Sequence, residues 1–142
     1  NSFKNILNII IIFLMGVAGI SLIVGATGIA NTMFTSVVER TKEIGTMKAV
    51  GARNSEILAV FLFESAFLGF VAGCIGVALG FIISYSLGAI LDNLGWGFLS
   101  PAFPISLFIG AITFATLTGA LSGLWPAWRA SKLITVQAIR YE

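Results

Sequence analysis

Apolar side chains fall along this chain in three long runs, at residues 6–35, 57–91 and 105–125, separated by two polar intervals. Within each run leucine, isoleucine, valine and phenylalanine follow one another without the alternation of a barrel strand, and each run is too long for one. About 20 apolar residues cross a hydrocarbon layer of about 30 Å, and only closed hydrogen-bonding structures cross lipid. The pattern predicts an all-α integral membrane protein with three transmembrane helices. At about 1.5 Å per residue the first two runs exceed the layer and must tilt or project, while the third fits it closely.

The first polar interval reads "ERTKEIGTMKAVGARNSEI", residues 39–57. The chain holds eight basic and six acidic residues in all. Half of them, Glu39, Arg40, Lys42, Glu43, Lys48, Arg53 and Glu56, lie in this interval. Ser36 followed by Glu39 has the spacing of a capping box, which predicts a fresh helix over about residues 37–51. Ile44 and Met47 then share a face with Val50 and nearby Val37, and Glu39–Lys42 and Arg40–Glu43 form i,i+3 pairs. Gly51 reads as the stop. Asn54 reads as the cap of the next helix, with Glu56 placed for its dipole. From pattern alone the interval is either a rigid amphipathic handle between two spans or a solvated loop that only sets topology.

Composition agrees with a membrane protein: 58% of residues are hydrophobic, 10% are charged and mean hydropathy is +1.03. Soluble domains carry about 25% charged residues. The first run is too long for a signal peptide and ends in charged residues, not in a cleavage site. Arg40, Lys42, Lys48 and Arg53 in the first interval, with Arg129, Lys132 and Arg140 in the tail at 126–142, mark the cytoplasmic side. The connection around Trp96 has no Lys or Arg and is expected outside, with Asn1. That orientation leads to the expectation of a further span upstream, with an extracytoplasmic domain between it and Ser2. The basic residues are those topology demands, so no nucleic-acid partner is expected. With no histidine and one cysteine, Cys74, an intrachain disulfide and metal sites of the usual nitrogen and sulfur type are excluded, and no cofactor is expected.

Small residues recur at helical spacing where helices could approach closely. Gly25 and Gly28 lie in the first run, with Ala18, Ser21 and Thr32. The second run has Gly69 and Gly73 beside a row of Ala72, Gly76, Gly80, Ser84 and Gly88. The third has Ala111, Ala115, Gly119 and Gly123. Such stripes serve packing within one chain or between two. Glu64 lies inside the second run, where a carboxylate costs about 3 kcal/mol on an insertion scale. It is expected to face the bundle and to be hydrogen-bonded or protonated, with Thr27, Asn31, Thr118 and Ser122 at similar depth. A proton relay wants several ionisable groups, and the spans hold no other. Intramembrane hydrolysis needs a nucleophile with a base, or paired carboxylates, and neither is available.

Three motifs resemble the FtsX-like permease family, to which MacB-type and lipoprotein-releasing ABC transporter permeases belong. "ERTKEIGTMKAVGA" (39–52) resembles its cytoplasmic segment. "FLFESAFLGFVAGCIGVALG" (61–80) resembles its glutamate-then-glycine-rich third span, and "GLWPAWRASKLITVQAIRYE" (123–142) its C-terminal ending. Thr135, Gln137 and Trp128 depart from the usual proline, glutamate and basic residue of that ending. The resemblance implies a four-span permease of which this chain is the last three spans. It implies no catalytic residues in the chain and an ABC ATPase as partner. The coupling helix would be formed by Glu39, Arg40, Lys42, Glu43, Ile44, Gly45, Met47, Lys48, Val50 and Gly51. A permease homodimer or related heterodimer in the cell membrane would transmit ATP-driven motion outward, for efflux, lipoprotein release or mechanotransmission. In this reading Ile44, with Met47 and Val50, inserts into a groove on the ATPase, ringed by Arg40, Glu43 and Lys48. The alternative is a small helical membrane scaffold or channel with no ATPase.

Overall fold

A computed structural model describes residues 2–94 and 104–132. The described residues form four helices: α1 (Ser2–Glu39), α2 (Thr41–Ala49), α3 (Asn54–Asn93) and α4 (Ile105–Ser131). Helices α1, α3 and α4 are each long and apolar enough to cross a membrane. The outer connection around Trp96 and the tail from residue 133, with Thr135, Gln137 and Arg140, lie outside the described residues.

The first helix does not restart at Ser36. It runs on to Glu39, and the Ser36 carbonyl accepts the Arg40 N–H at 3.0 Å like any helix-interior carbonyl. A capping box needs its first residue out of the helical conformation, and Ser36 never leaves it. The break comes at Arg40 (φ −94°, ψ 14°), where the Thr41 hydroxyl donates to the Val37 and Val38 carbonyls at 2.9 and 2.8 Å. A side chain inserted into the hydrogen-bond ladder is a recognised cause of a helix bend.

Gly51 stops α2 as expected. It is the positive-φ residue of the described chain, at φ 106°. Its N–H bonds the Lys48 carbonyl and the Ala52 N–H bonds the Met47 carbonyl, both at 3.0 Å. These are the paired bonds of a Schellman motif, with Gly51 at the left-handed position. The next helix is capped by Arg53, not Asn54. Arg53 has extended backbone (φ −77°, ψ 151°), and its N–H donates to the Glu56 carboxylate at 3.0 Å. Asn54 is already the first helical residue, so its side chain has no cap position to fill.

The buried core gathers at the α2 end of the molecule: Val37, Ile44, Ile57, Phe61, Ala127 and Ala130 pack together, with Met33 also buried. Helix α4 contributes because it continues through Pro126 to Ser131, into the segment read from sequence as tail. Pro126 cannot donate to the Ser122 carbonyl, but burial of its ring and of Ala127 and Ala130 holds the last turns in place.

Helices α3 and α4 meet along small residues. A Cβ built on Gly69 would lie 2.5 Å from the Ala115 carbonyl oxygen, and one on Gly73 would lie 2.8 Å from the Ala115 Cβ. On α4, a Cβ on Gly119 would lie 2.6 Å from the Ser65 carbonyl, and one on Gly123 would collide with the Ser65 side chain. Gly69, Gly73, Ala115, Gly119 and Gly123 thus line the close approach of α3 to α4. Gly25, Gly28, Gly76 and Gly80 do not: a Cβ on any of them meets nothing within 4 Å. At about 100° per residue Gly76 and Gly80 lie within about 20° of Gly69 around α3, so they share its face and differ only in lying farther along the helix, where nothing comes within 4 Å of a Cβ.

Farther from α2, Phe81 and Phe108 join α3 to α4 edge to face at 6.1 Å. Phe34 and Trp125 join α1 to α4 at 4.9 Å. Residues 2–25 of α1 are exposed throughout, so α1 meets the α3–α4 pair through its second half.

Candidate functional site

Helix α2 is nine residues long, too short to hold its shape alone in water. Its inward face is tied to the bundle. Ile44 is 0% exposed within the core, and Gly45 beside it is buried. The Lys48 ammonium donates to the Ser131 carbonyl at 2.7 Å. That carbonyl belongs to the last turn of α4, where helix carbonyls lack backbone partners and the dipole favours a cation.

This placement corrects the expected partner-facing side. Ile44, Gly45 and Lys48 are engaged within the chain. Ile44 cannot also be the anchor in another protein's groove. At about 100° per residue Val50 lies about 120° around the helix from Ile44, so the three apolar residues do not form one stripe. Met47 and Val50 instead point away from the core, 41% and 91% exposed. With Thr46 and Ala52 they line a shallow depression on the outer surface of α2. Lys42 and Glu43 are exposed on the same helix.

Glu64 is hydrogen-bonded, but not to the residues expected beside it. Its Oε2 accepts from Arg40 Nη1 at 3.3 Å, in an ion pair whose side chains are 32% and 50% exposed. The Thr27, Thr118 and Ser122 hydroxyls each donate to carbonyls of their own helix, those of Val24, Phe114 and Thr118. The Asn31 carbonyl accepts from Thr35 in the same way. Helix α3, at 40 residues, is about 60 Å long, twice the hydrocarbon layer, so part of it projects beyond a bilayer. Its first turns run beside α2, and Glu64 reaches only the level of the charged end of α1. Arg40 was in view in the sequence as part of the charged interval. Pairing it with a residue 24 positions away needed the fold.

At the C-terminal end of α4, Lys132 Nζ lies 3.8 Å over the Trp128 ring. No group of three or more His, Cys, Asp or Glu side chains that could hold a metal occurs among the described residues.

A family model described as FtsX-like permease C-terminal matches residues 15–133. The chain belongs to the FtsX-like permease family. It is 41% identical over 139 residues to an uncharacterized ABC transporter permease of Methanocaldococcus jannaschii, covering 98% of this chain and 35% of that protein. It is 46% identical over 129 residues to the macrolide export ATP-binding/permease protein MacB of Bdellovibrio bacteriovorus, covering 91% of this chain and 19% of that one. It is 40% identical over 126 residues to an uncharacterized ABC transporter permease, YknZ, of Bacillus subtilis, covering 89% and 30%. The chain thus spans between about a fifth and a third of the length of these relatives. Three apolar helices in a member of an ABC permease family make it a multi-pass membrane protein.

Proposed function

We propose that this chain is the transmembrane part of an ABC transporter permease, whose outward α2 face receives a partner ATPase and passes its motion to the membrane helices. The observation that carries this reading is the division of α2 into two faces. One is fastened to α3 and α4 through Ile44 and Lys48, and the other exposes Met47 and Val50 around a depression. An aliphatic side chain as exposed as Val50, beside a second apolar one and close to charges of both signs, is the composition of a docking patch with a polar rim. A helix fastened on one face and open on the other moves with the bundle when it is pushed.

The name of the MacB relative joins ATP-binding and permease functions, and the other two are named as ABC transporter permeases, which supports an ATPase partner. The basic residues of the interval support a cytoplasmic place for α2. In this reading the chain catalyses nothing itself, works as a permease dimer, and is preceded by a span and an extracytoplasmic domain outside this sequence.

The test is co-purification of the full-length permease with its ATPase. Val50→Asp or Met47→Asp places a carboxylate in the patch without touching the core, and is expected to abolish binding with the membrane helices folded. Ile44→Asp is unsuitable for this purpose, since a buried charge would unfold the α2 end itself. Normal ATPase binding by both outward-face variants would overturn docking on this face, and failure of the parent permease to bind any ATPase would favour the scaffold or channel alternative.

A further inference from the structure

The junction between α1 and α2 is an elbow, not a loop. The Arg40 N–H bonds the Ser36 carbonyl, and the Arg40 carbonyl accepts from the Ile44 N–H, both at 3.0 Å. Helical bonding therefore runs up to residue 40 and on from it, and the bend is confined to Arg40 and Thr41. A junction of this kind changes angle with small dihedral rotations at one or two residues. The core holds this angle from the inside, where Val37 of α1 and Ile44 of α2 lie in one cluster, and the exposed side of the corner depends on a separate contact.

The side chain at the bend is the one that reaches across. Arg40 extends from the elbow to Glu64 on α3, and the two form an ion pair. The contact is charge-assisted and directional, and it ties the corner of the α1–α2 angle to a third helix. Both groups are partly exposed, outside the apolar cluster of Val37, Ile44, Ile57 and Phe61. We propose that the Arg40–Glu64 ion pair is a strut that fixes the α1–α2 elbow against α3, so that movement of α2 is delivered to α1 instead of being absorbed at the junction. The two are positioning residues, and the role in transmission rests on the reading of α2 as the ATPase-receiving helix.

The elbow can be measured without any ATPase. Spin labels at Thr32→Cys on α1 and Ala49→Cys on α2, both at exposed positions, with Cys74→Ala, report its angle as a distance distribution in full-length permease in lipid. Arg40→Glu and Glu64→Arg are each expected to broaden a narrow distribution, and the double exchange Arg40→Glu/Glu64→Arg to restore it. Glu64→Gln keeps the side-chain shape and an acceptor, loses the charge and is expected to broaden it partly. It serves if a reversal fails to fold. With the ATPase present, folded Glu64→Arg should still bind it yet lose coupled hydrolysis several-fold, with recovery in the double exchange. An unchanged distribution in a folded Glu64→Gln or single reversal overturns the strut, as does a double exchange no better than its parents. Failure of the wild-type permease to bind or stimulate an ATPase refutes the transmission role by way of the proposed function, and the spin-label result stands apart from it.

Discussion

One carbon added at Gly69 would sit 2.5 Å from a backbone oxygen of α4, and backbone cannot swing aside as a side-chain tip can. Gly69→Ala must therefore push α3 and α4 apart, at a cost of about 1–3 kcal/mol typical of overpacking. Gly76→Ala and Gly80→Ala lie on the same helix but meet open space. They gain up to about 1 kcal/mol of helix propensity and lose no contact within the chain. Thermal unfolding in detergent should show Gly69→Ala well below the parent protein, with Gly76→Ala and Gly80→Ala level with it or above. Equal losses at all three positions would mean that close α3–α4 approach does not hold the bundle together.

Helix α2 depends on its ends and its neighbours, because nine residues supply few hydrogen bonds of their own. Gly51 lets the chain turn from α2 into α3 at φ 106°, where any other residue pays about 1–3 kcal/mol. Gly51→Ala is expected to lower stability by that amount and to raise hydrogen exchange in α2 first, since the Lys48 and Met47 carbonyls share the same turn. Unchanged exchange in α2 would contradict this dependence. The three membrane helices were legible in the sequence, since runs of that length admit no other element in lipid. The Gly51 stop was legible from residue type. The contacts were not. Gly69, Gly73, Gly76 and Gly80 share one face of α3, and residue type and spacing do not tell where along that face α4 comes close. In α2 the signal was too short: Ile44, Met47 and Val50 looked like one stripe until the core took Ile44 alone. The Arg40–Glu64 pair joins distant parts of the chain, and residue spacing carries no sign of it.

Across the whole molecule the core lies at one end, where α2, the first turns of α3, the last turns of α4 and the second half of α1 converge. The rest of the membrane surface is exposed apolar side chain, suited to lipid or to other helices. Such a layout concentrates rigidity where a partner would push and leaves the far half of α1 free of the other two helices. Site-specific cross-linking tests most directly whether the outward face of α2 meets an ATPase. In full-length permease carrying Cys74→Ala, a cysteine-reactive photo-cross-linker at Val50→Cys should join the permease to its ATPase in native membranes, and the same reagent at Ala59→Cys, exposed on α3, should not. No cross-link from Val50→Cys, with an ATPase that co-purifies normally, would contradict docking on the outward face of α2.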